Sequence, residues 1–381
     1  MAVQNLLQVN LQTGFGGGEV YTCFFGQALK SLGQRFGLIV HRDASWWRSH
    51  DTGASEIHPV GSSDEIARLP FERPAWLIYH TPDRGARLAH LKSLGCRLAA
   101  FVHMPLYQRD AAPLRDYDML FAVSGYVLDG LVREGFTTAF AEPLYGVAHI
   151  ERGAPERGEI VARSRYAWDT RKLRDRALSW VHPAWQASRP RRVFTRRPGL
   201  TLGVVSRLTP IKQFPALFNA LLPVLAEFPA VNLEIFGSGG YASVRDTRAA
   251  LAPLGPRVRW WGHQDDVRRV YPLLDFLLTG LPEKEALGLN VLEAQMCGTP
   301  VLAPAAPPFS ETVSHARSGY LYPDPRQDDG AGFRALLADL VCGRLPRPDP
   351  RMALEHLARF SEEAFRARVA RALQALQESG A

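Results

Sequence analysis

Cysteine is scarce in this chain of 381 residues: Cys23, Cys96, Cys297 and Cys342 stand far apart and form no C-x-x-C pair. That spacing suggests neither a cysteine-based zinc site nor a disulfide framework, and small, buried apolar residues are the expected role. No stretch approaches the ~20 uninterrupted apolar residues that a bilayer span requires. Met1 runs straight into an apolar segment, without the basic leader and small-residue cleavage site of a secretory signal, so a cytoplasmic protein is expected. Short internal repeats and low-complexity segments are missing too. No D-x-D pair stands in a suitable loop, which points to chemistry without a bound metal or cofactor.

What is present is the composition of a water-soluble globular protein, 46% apolar and 22% charged. Single cores stop growing near ~250 residues, so this length implies two domains. The formal charge of +7 is unevenly placed. Between Glu151 and Arg197 thirteen Lys and Arg face five Asp and Glu, which accounts for the whole excess. Such a stretch suits phosphates of a lipid carrier, an anionic membrane surface or a nucleic acid, and equally a solvated connector.

Apolar runs alternate with helical stretches. Asn5–Leu11, Phe36–His41, Ala75–His80, Leu98–His103 and Asp118–Ser124 read as strands, with helices at Gly18–Leu32 and Val127–Glu134. After the Pro- and Arg-rich RPRRVFTRRPG the rhythm restarts: strands at Leu200–Ser206, Val231–Phe236, Val258–Trp261, Phe276–Thr279 and Val301–Ala303, and a helix at Phe214–Phe228. Near-continuous apolar strands separated by helices argue for parallel sheets covered on both faces, an α/β fold. The expected domains are 1–190 and 191–355, followed by a helical segment, 356–381, returning to the first.

Three elements carry chemistry. Gly14-Phe15-Gly16-Gly17-Gly18-Glu19 lies between the first strand and first helix, where glycines let backbone approach a phosphate and a helix start offers free N–H groups. Ser206-Arg207-Leu208-Thr209-Pro210-Ile211-Lys212 places two cations at a strand end, suited to neutralising a departing diphosphate. The third is Glu285-Ala286-Leu287-Gly288-Leu289-Asn290-Val291-Leu292-Glu293, followed by Ala294-Gln295-Met296-Cys297-Gly298-Thr299-Pro300-Val301. One acid stands in the loop and one in the first two turns of a helix, and ionised carboxylates are acceptors suited to sugar hydroxyls.

Glu285-x7-Glu293 with the trailing EAQMCGTPV resembles the signature of retaining glycosyltransferases of the GT-B fold, glycosyltransferase family 4. The Gly-rich loop, SRLTPIK, LEIFGSGG and PPFSETVSHARSGYLYPDP follow in family order, so the resemblance spans nearly the whole chain. It implies two Rossmann-like parallel-sheet domains facing across a cleft and a nucleotide diphosphate sugar as donor, a UDP-sugar before GDP-mannose. It also implies a saccharide or lipid-linked acceptor in cell-surface polysaccharide or lipopolysaccharide synthesis.

By the resemblance, Glu285 contacts hydroxyls of the donor sugar and Glu293 the ribose. Arg207 and Lys212 hold the diphosphate, with Gly16 and Gly17 closing on it. Gly237 and the backbone of Ala286, Leu287, Gly288 and Leu289 complete the donor site, with Glu311 of PFSETV near it. His103, in AAFVHMPLY, matches the family's active-site histidine. His80, at another strand end, is a candidate for acceptor contact. Retention with one sugar-side carboxylate implies that the leaving phosphate deprotonates the acceptor, in contrast to the paired acids of retaining hydrolases. The sequence departs from the family pattern where Ser206 and Gln213 replace glycines, and where Leu281-Pro282-Glu283-Lys284 replaces a Pro-Ser pair.

Two other readings compete. Gly237-Ser238-Gly239-Gly240-Tyr241-Ala242 fits G-x-G-x-x-A, as in a Rossmann oxidoreductase using NAD, but no acid closes a second strand downstream. A non-catalytic binding partner on the same fold is the other. Nucleic acid is disfavoured, because the basic run carries few aromatic platforms beyond Trp168, Trp180 and Trp185. The same run is the expected point of peripheral contact with an anionic membrane at the inner face of the cell membrane.

Overall fold

The computed structural model describes residues 3–14, 16–147, 158–168, 173–187 and 190–380. In chain order the elements are β1 (Leu6–Asn10), α1 (Gly17–Ser31), β2 (Phe36–His41), β3 (Glu56–Val60), β4 (Ala75–Tyr79), α2 (Ala86–Ser93), β5 (Cys96–Val102), β6 (Met119–Ala122) and α3 (Gly125–Arg133). They continue with α4 (Leu173–Ala187), β7 (Leu200–Val205), α5 (Phe214–Glu227), β8 (Val231–Phe236), α6 (Tyr241–Leu251), β9 (Val258–Gly262), β10 (Phe276–Leu278) and α7 (Leu289–Met296). The last are β11 (Val301–Pro304), α8 (Phe309–Thr312), β12 (Gly319–Tyr322), α9 (Ala331–Val341), α10 (Leu354–Ala358) and α11 (Glu362–Gly380).

The strands form two six-stranded sheets, β3-β2-β1-β4-β5-β6 and β9-β8-β7-β10-β11-β12. Every strand pair is parallel. Both sheets therefore have the same doubly wound order, in which the chain reverses its direction of progress between β1 and β4, and between β7 and β10. In such sheets ligands bind beyond the carboxyl ends of the strands at that reversal. The apolar runs read from the sequence are ten of these strands, the edge strands β6 and β9 among them, and β1, β4, β6, β8 and β11 are buried at every position. The pattern did not reveal β3 or β12. β3 (EIHPV) is an edge strand, largely exposed and containing a proline, and β12 (GYLY) has only four residues among turns.

Two compact units result: residues 1–149 with 358–381, and residues 150–357. The division falls about forty residues before the expected boundary near 190, and backbone pairing gives the reason. Phe194 N–H donates to Ile160 O at 2.8 Å, Arg163 N–H to Trp261 O at 2.8 Å and Ala167 N–H to Gly239 O at 2.9 Å, so the chain after 158 is already stitched to the second sheet. In the first unit α11 packs on α1. Phe365 sets its ring edge-on to Tyr21 at 5.6 Å, and Arg371 Nη2 donates to Glu142 at 2.8 Å. Among the described residues no helix is long and apolar enough to cross a membrane, and the four cysteines are free.

Candidate functional site

In the second unit β7 and β8 end side by side, and the two loops that follow touch backbone to backbone. Ser206 N–H donates to Phe236 O at 3.0 Å and Leu208 N–H to Ser238 O at 2.8 Å. A Cβ on Gly237 would lie 1.8 Å from Ser206 O, and one on Gly239 2.0 Å from Leu208 O; Gly237 also has φ +137°. Only glycine fits such an approach. The glycines of this run are thus required by the chain's own packing, whatever ligand it meets, which removes the reason for reading them as a dinucleotide fingerprint.

Lys212 closes the short turn Pro210–Lys212, and Gln213 follows with φ +52°. The carbonyl of Lys212 accepts from Leu281 N–H at 3.3 Å, while a Cβ on Gly280 would meet it at 2.1 Å. The loop after β10 is thereby drawn against the loop after β7. Its acid, Glu285, forms an ion pair with Lys212. Gly288, in the left-handed region at φ +82°, turns the chain into α7. Asn290 Nδ2, in the first turn of α7, donates to Val205 O at 3.1 Å and ties that turn to the end of β7.

Glu293 lies in the second turn of α7 and accepts from Tyr271 Oη at 2.9 Å. Burial pushes its carboxyl up to about 6, against the opposing pull of the Tyr271 hydrogen bond and the Lys212 charge. Lys212 is thus paired with one acid of the expected signature and lies within electrostatic reach of the other. Ala286 and Leu287 are buried, and Leu289 opens α7. Arg207 is exposed on the same loop as Lys212 and takes no part in the ion pair. Glu311 sits half-buried on α8.

Sequence reasoning missed Tyr271 and Asn290, and missed that two departures from the family pattern meet. Gln213 Nε2 donates to Glu283 Oε2 at 3.0 Å, and Arg326 pairs with both Glu283 and Asp324. The most deeply buried acid nearby is structural: Glu234 on β8 is held by Arg259 at 2.6 Å, Arg197 at 2.9 Å and Trp261 Nε1 at 2.6 Å. Among the described residues no cluster of three or more His, Cys, Asp or Glu is gathered as a metal site would need.

In the first unit, Gly16 caps α1 with an extended backbone that any residue adopts. A Cβ on Gly14, Gly17 or Gly18 would meet no atom within 4 Å, so these glycines, unlike Gly237, are not demanded by packing. Asn10 Nδ2 donates to Thr22 Oγ1 at 2.9 Å, and Glu19 is buried in the first turn of α1. His103 follows β5, half-buried. His80 follows β4 but is only 3% exposed. One of its ring nitrogens lies 2.7 Å from Gln8 Oε1 and the other 3.3 Å from His103 Nε2. With both nitrogens engaged and the ring buried, His80 stands behind His103 and is not placed for the direct acceptor contact that its strand-end position suggested. Burial pushes His103 down to about 4, and burial with the neighbouring His103 holds His80 well below the ordinary histidine value.

The two sheets and their order define the fold of GT-B glycosyltransferases. Anabaena HepE in complex with UDP superposes with a TM-score of 0.66 at 16% identity, covering 98% of this chain and 100% of that one. Sucrose-phosphate synthase from Thermosynechococcus elongatus gives 0.65 at 16%, covering 99% and 100%. Residues 192–339, within the second unit, match the family model Glycosyl transferases group 1. A curated relative, D-inositol 3-phosphate glycosyltransferase of Thermobispora bispora, is 32% identical over 212 residues, 51% of this chain and 47% of that protein. The chain therefore spans about half the length of that relative.

Proposed function

We propose that this chain is a glycosyltransferase that takes a sugar from a nucleotide diphosphate sugar, a UDP-sugar before GDP-mannose, and transfers it with retention to a saccharide or glycolipid acceptor of cell-surface polysaccharide or lipopolysaccharide synthesis. One observation carries the reading: Lys212 is drawn against the loop of Glu285 and within the field of Glu293, at the reversal point of the second sheet. In this reading Arg207 and Lys212 stabilise the charge that develops on the leaving diphosphate. Glu285 accepts from donor-sugar hydroxyls and Glu293 from the ribose, with Gly237, Glu311 and the 286–289 backbone around them. Gly16 and Gly17 approach the phosphates, which suits a glycine loop that packing does not explain. His103 contacts the transferred sugar. No second carboxylate is assigned as a nucleophile, so the departing phosphate oxygen takes the acceptor proton on the same face.

The test is thermal stabilisation by UDP, GDP and NAD, followed by donor hydrolysis without acceptor. Stabilisation by UDP, with hydrolysis of a UDP-sugar that survives EDTA, is the expected result; stabilisation by NAD alone overturns the reading. The Thermobispora relative is named as a D-inositol 3-phosphate glycosyltransferase, which adds inositol phosphate to the acceptors worth screening.

A membrane-proximal acceptor fits a second feature. On α4, Leu173, Trp180 and Val181 are 73%, 83% and 66% exposed, and their spacing puts them on one helical face flanked by Arg174 and Arg176. An apolar face between cations is the pattern of a helix that lies in a lipid interface. Trp168 instead stacks on Tyr166 at 5.0 Å, and Trp185 has its side chain outside the described residues. Sedimentation with anionic vesicles, lost on Trp180→Ser, is the expected outcome; equal sedimentation with neutral vesicles sinks it.

A further inference from the structure

Gln8 is a polar residue on a strand where every position is buried, and it is itself 0% exposed. Its amide oxygen can only accept, so the nitrogen of His80 that lies 2.7 Å from it, Nε2, carries the hydrogen. A neutral imidazole has one donor and one acceptor, so His80 Nδ1 offers a lone pair. His103 Nε2, 3.3 Å from that lone pair, must then bring its own hydrogen. We propose that Gln8 and His80 are positioning residues that hold His103 in one tautomer, with hydrogen on Nε2 and a lone pair on Nδ1, so that His103 meets a hydroxyl of the transferred sugar as an acceptor. The inference rests on the reading of His103 as a sugar contact and adds which nitrogen faces the sugar and what sets it.

The surroundings hold the rings as well as the protons. His80 and His103 both stack on Phe101, at centroid distances of 4.9 and 5.6 Å and interplanar angles of 18° and 25°. Tyr21 stands edge-on to His103 at 4.9 Å, with its hydroxyl fixed on Leu144 O at 2.7 Å. Rotation of the His103 ring would give up its stack on Phe101 and its edge-on contact with Tyr21. Gln8 Nε2 is buried without a partner, a loss of about 1–3 kcal/mol that a leucine at this position would avoid. A buried orphan kept in this way calls for a functional explanation, and keeping the carbonyl on His80 supplies one.

The experiment uses the full chain labelled with ¹⁵N-histidine, with long-range ¹H–¹⁵N correlation and the His103 signals assigned by their loss in His103→Gln. The expected wild-type spectrum has hydrogen on His103 Nε2 and a bare Nδ1. Gln8→Met, which keeps the volume and removes the acceptor, should give mixed tautomers and lower kcat about 10- to 100-fold with KM little changed, the scale seen when a group orienting a histidine is lost. Gln8→Glu keeps an acceptor and should restore the single tautomer. Hydrogen on His103 Nδ1 in the wild type, or an unchanged tautomer in a folded Gln8→Met, overturns the proposal, and the wild-type spectrum decides even if Gln8→Met does not fold. A chain without transferase activity that shows the Nε2 hydrogen sinks the functional reading and keeps the relay; an active chain with the Nδ1 hydrogen does the reverse.

Discussion

At the strand reversal of the first sheet and one strand beyond it, the chain places two histidines whose burial disfavours protonation, His80 after β4 and His103 after β5. At the same topological position of the second sheet, the loops after β7 and β10 bring together Lys212 and Glu285. Identical strand order thus carries neutral hydrogen bonders in one unit and opposed charges in the other. Their pH linkages run in opposite directions. His103 is depressed from 6.5 to about 4, so its contribution to stability is full above 6.5 and is lost as pH falls toward 4, because the unfolded chain binds protons that the folded ring refuses. Glu293 is raised from 4.5 to about 6, so its contribution is full below 4.5 and is lost as pH rises through 6. One scaffold has therefore been given two electrostatic tasks, and each can be disturbed without the other.

The largest effect should come from the charged half. Lys212→Ala removes the partner of Glu285, and Arg207→Ala the cation beside it on the loop. Each should lower turnover by about 10²- to 10³-fold, as expected for a preorganised group facing developing charge. Circular dichroism should show the fold intact. Near-normal kcat in either variant would place the leaving group elsewhere and dissolve the contrast between the units.

The glycines sharpen the same comparison. Gly237→Ala puts a Cβ 1.8 Å from Ser206 O at φ +137°, and should cost about 3 kcal/mol in denaturant unfolding. Gly17→Ala meets nothing within 4 Å and should leave stability unchanged or raise it by about 0.5 kcal/mol. If the Gly loop approaches phosphate, the same substitution raises KM for the donor. A Gly17→Ala enzyme with normal KM would mean that the loop is only a turn.

Strands covered on both faces were legible in the sequence because they are almost entirely apolar, as in AWLIY of β4 and MLFA of β6. The edge strand β3 was not, since it is largely exposed and carries Glu56, His58 and Pro59. Glu285, Glu293 and Lys212 were singled out through the resemblance of their motifs to a known family, and the fold brings Lys212 to Glu285. Tyr271 and Asn290 were not, because each reaches the site across a gap in sequence that only the fold closes, 22 residues to Glu293 and 85 to Val205. His80 misled for a related reason: its place at a strand end is real, but Gln8, 72 residues away, claims one of its nitrogens. The Arg-rich run looked like part of the first domain because its composition resembles a linker, and composition says nothing about the backbone pairs that stitch 158–168 to the second sheet.

The acid-base contrast is measurable directly. The rise of the Glu293 carboxyl from 4.5 to about 6 corresponds to about 2 kcal/mol of stability lost between pH 4.5 and 6.5. Glu293→Gln should remove that slope from urea unfolding of the second unit. The slope expected from His103, falling stability below pH 6.5, should persist in the variant. If Glu293→Gln leaves the pH profile unchanged, the carboxyl is not neutralised by its surroundings and the two units do not differ in this respect.

The smallest effect concerns the pair of departures that meet across the loops. Gln213 holds φ +52°, a conformation in which glycine would be unstrained, and its amide donates to Glu283 at 3.0 Å. Strain at Gln213 is therefore exchanged for a cross-link running parallel to Lys212–Glu285, one residue after Lys212 and two before Glu285. Both side chains are half-buried, so the hydrogen bond should contribute about 1 kcal/mol, below the range of buried charge-assisted bonds. Gln213→Gly should relieve a similar amount of strain, leaving stability nearly unchanged while loosening the loops. A double-mutant cycle of Gln213→Ala and Glu283→Ala should return a coupling near 1 kcal/mol in unfolding, and kcat should fall a few-fold with Gln213→Gly. Zero coupling, with full activity in Gln213→Gly, would mean that the register of Lys212 against Glu285 is set by the backbone contact of Lys212 O with Gly280 and Leu281 alone.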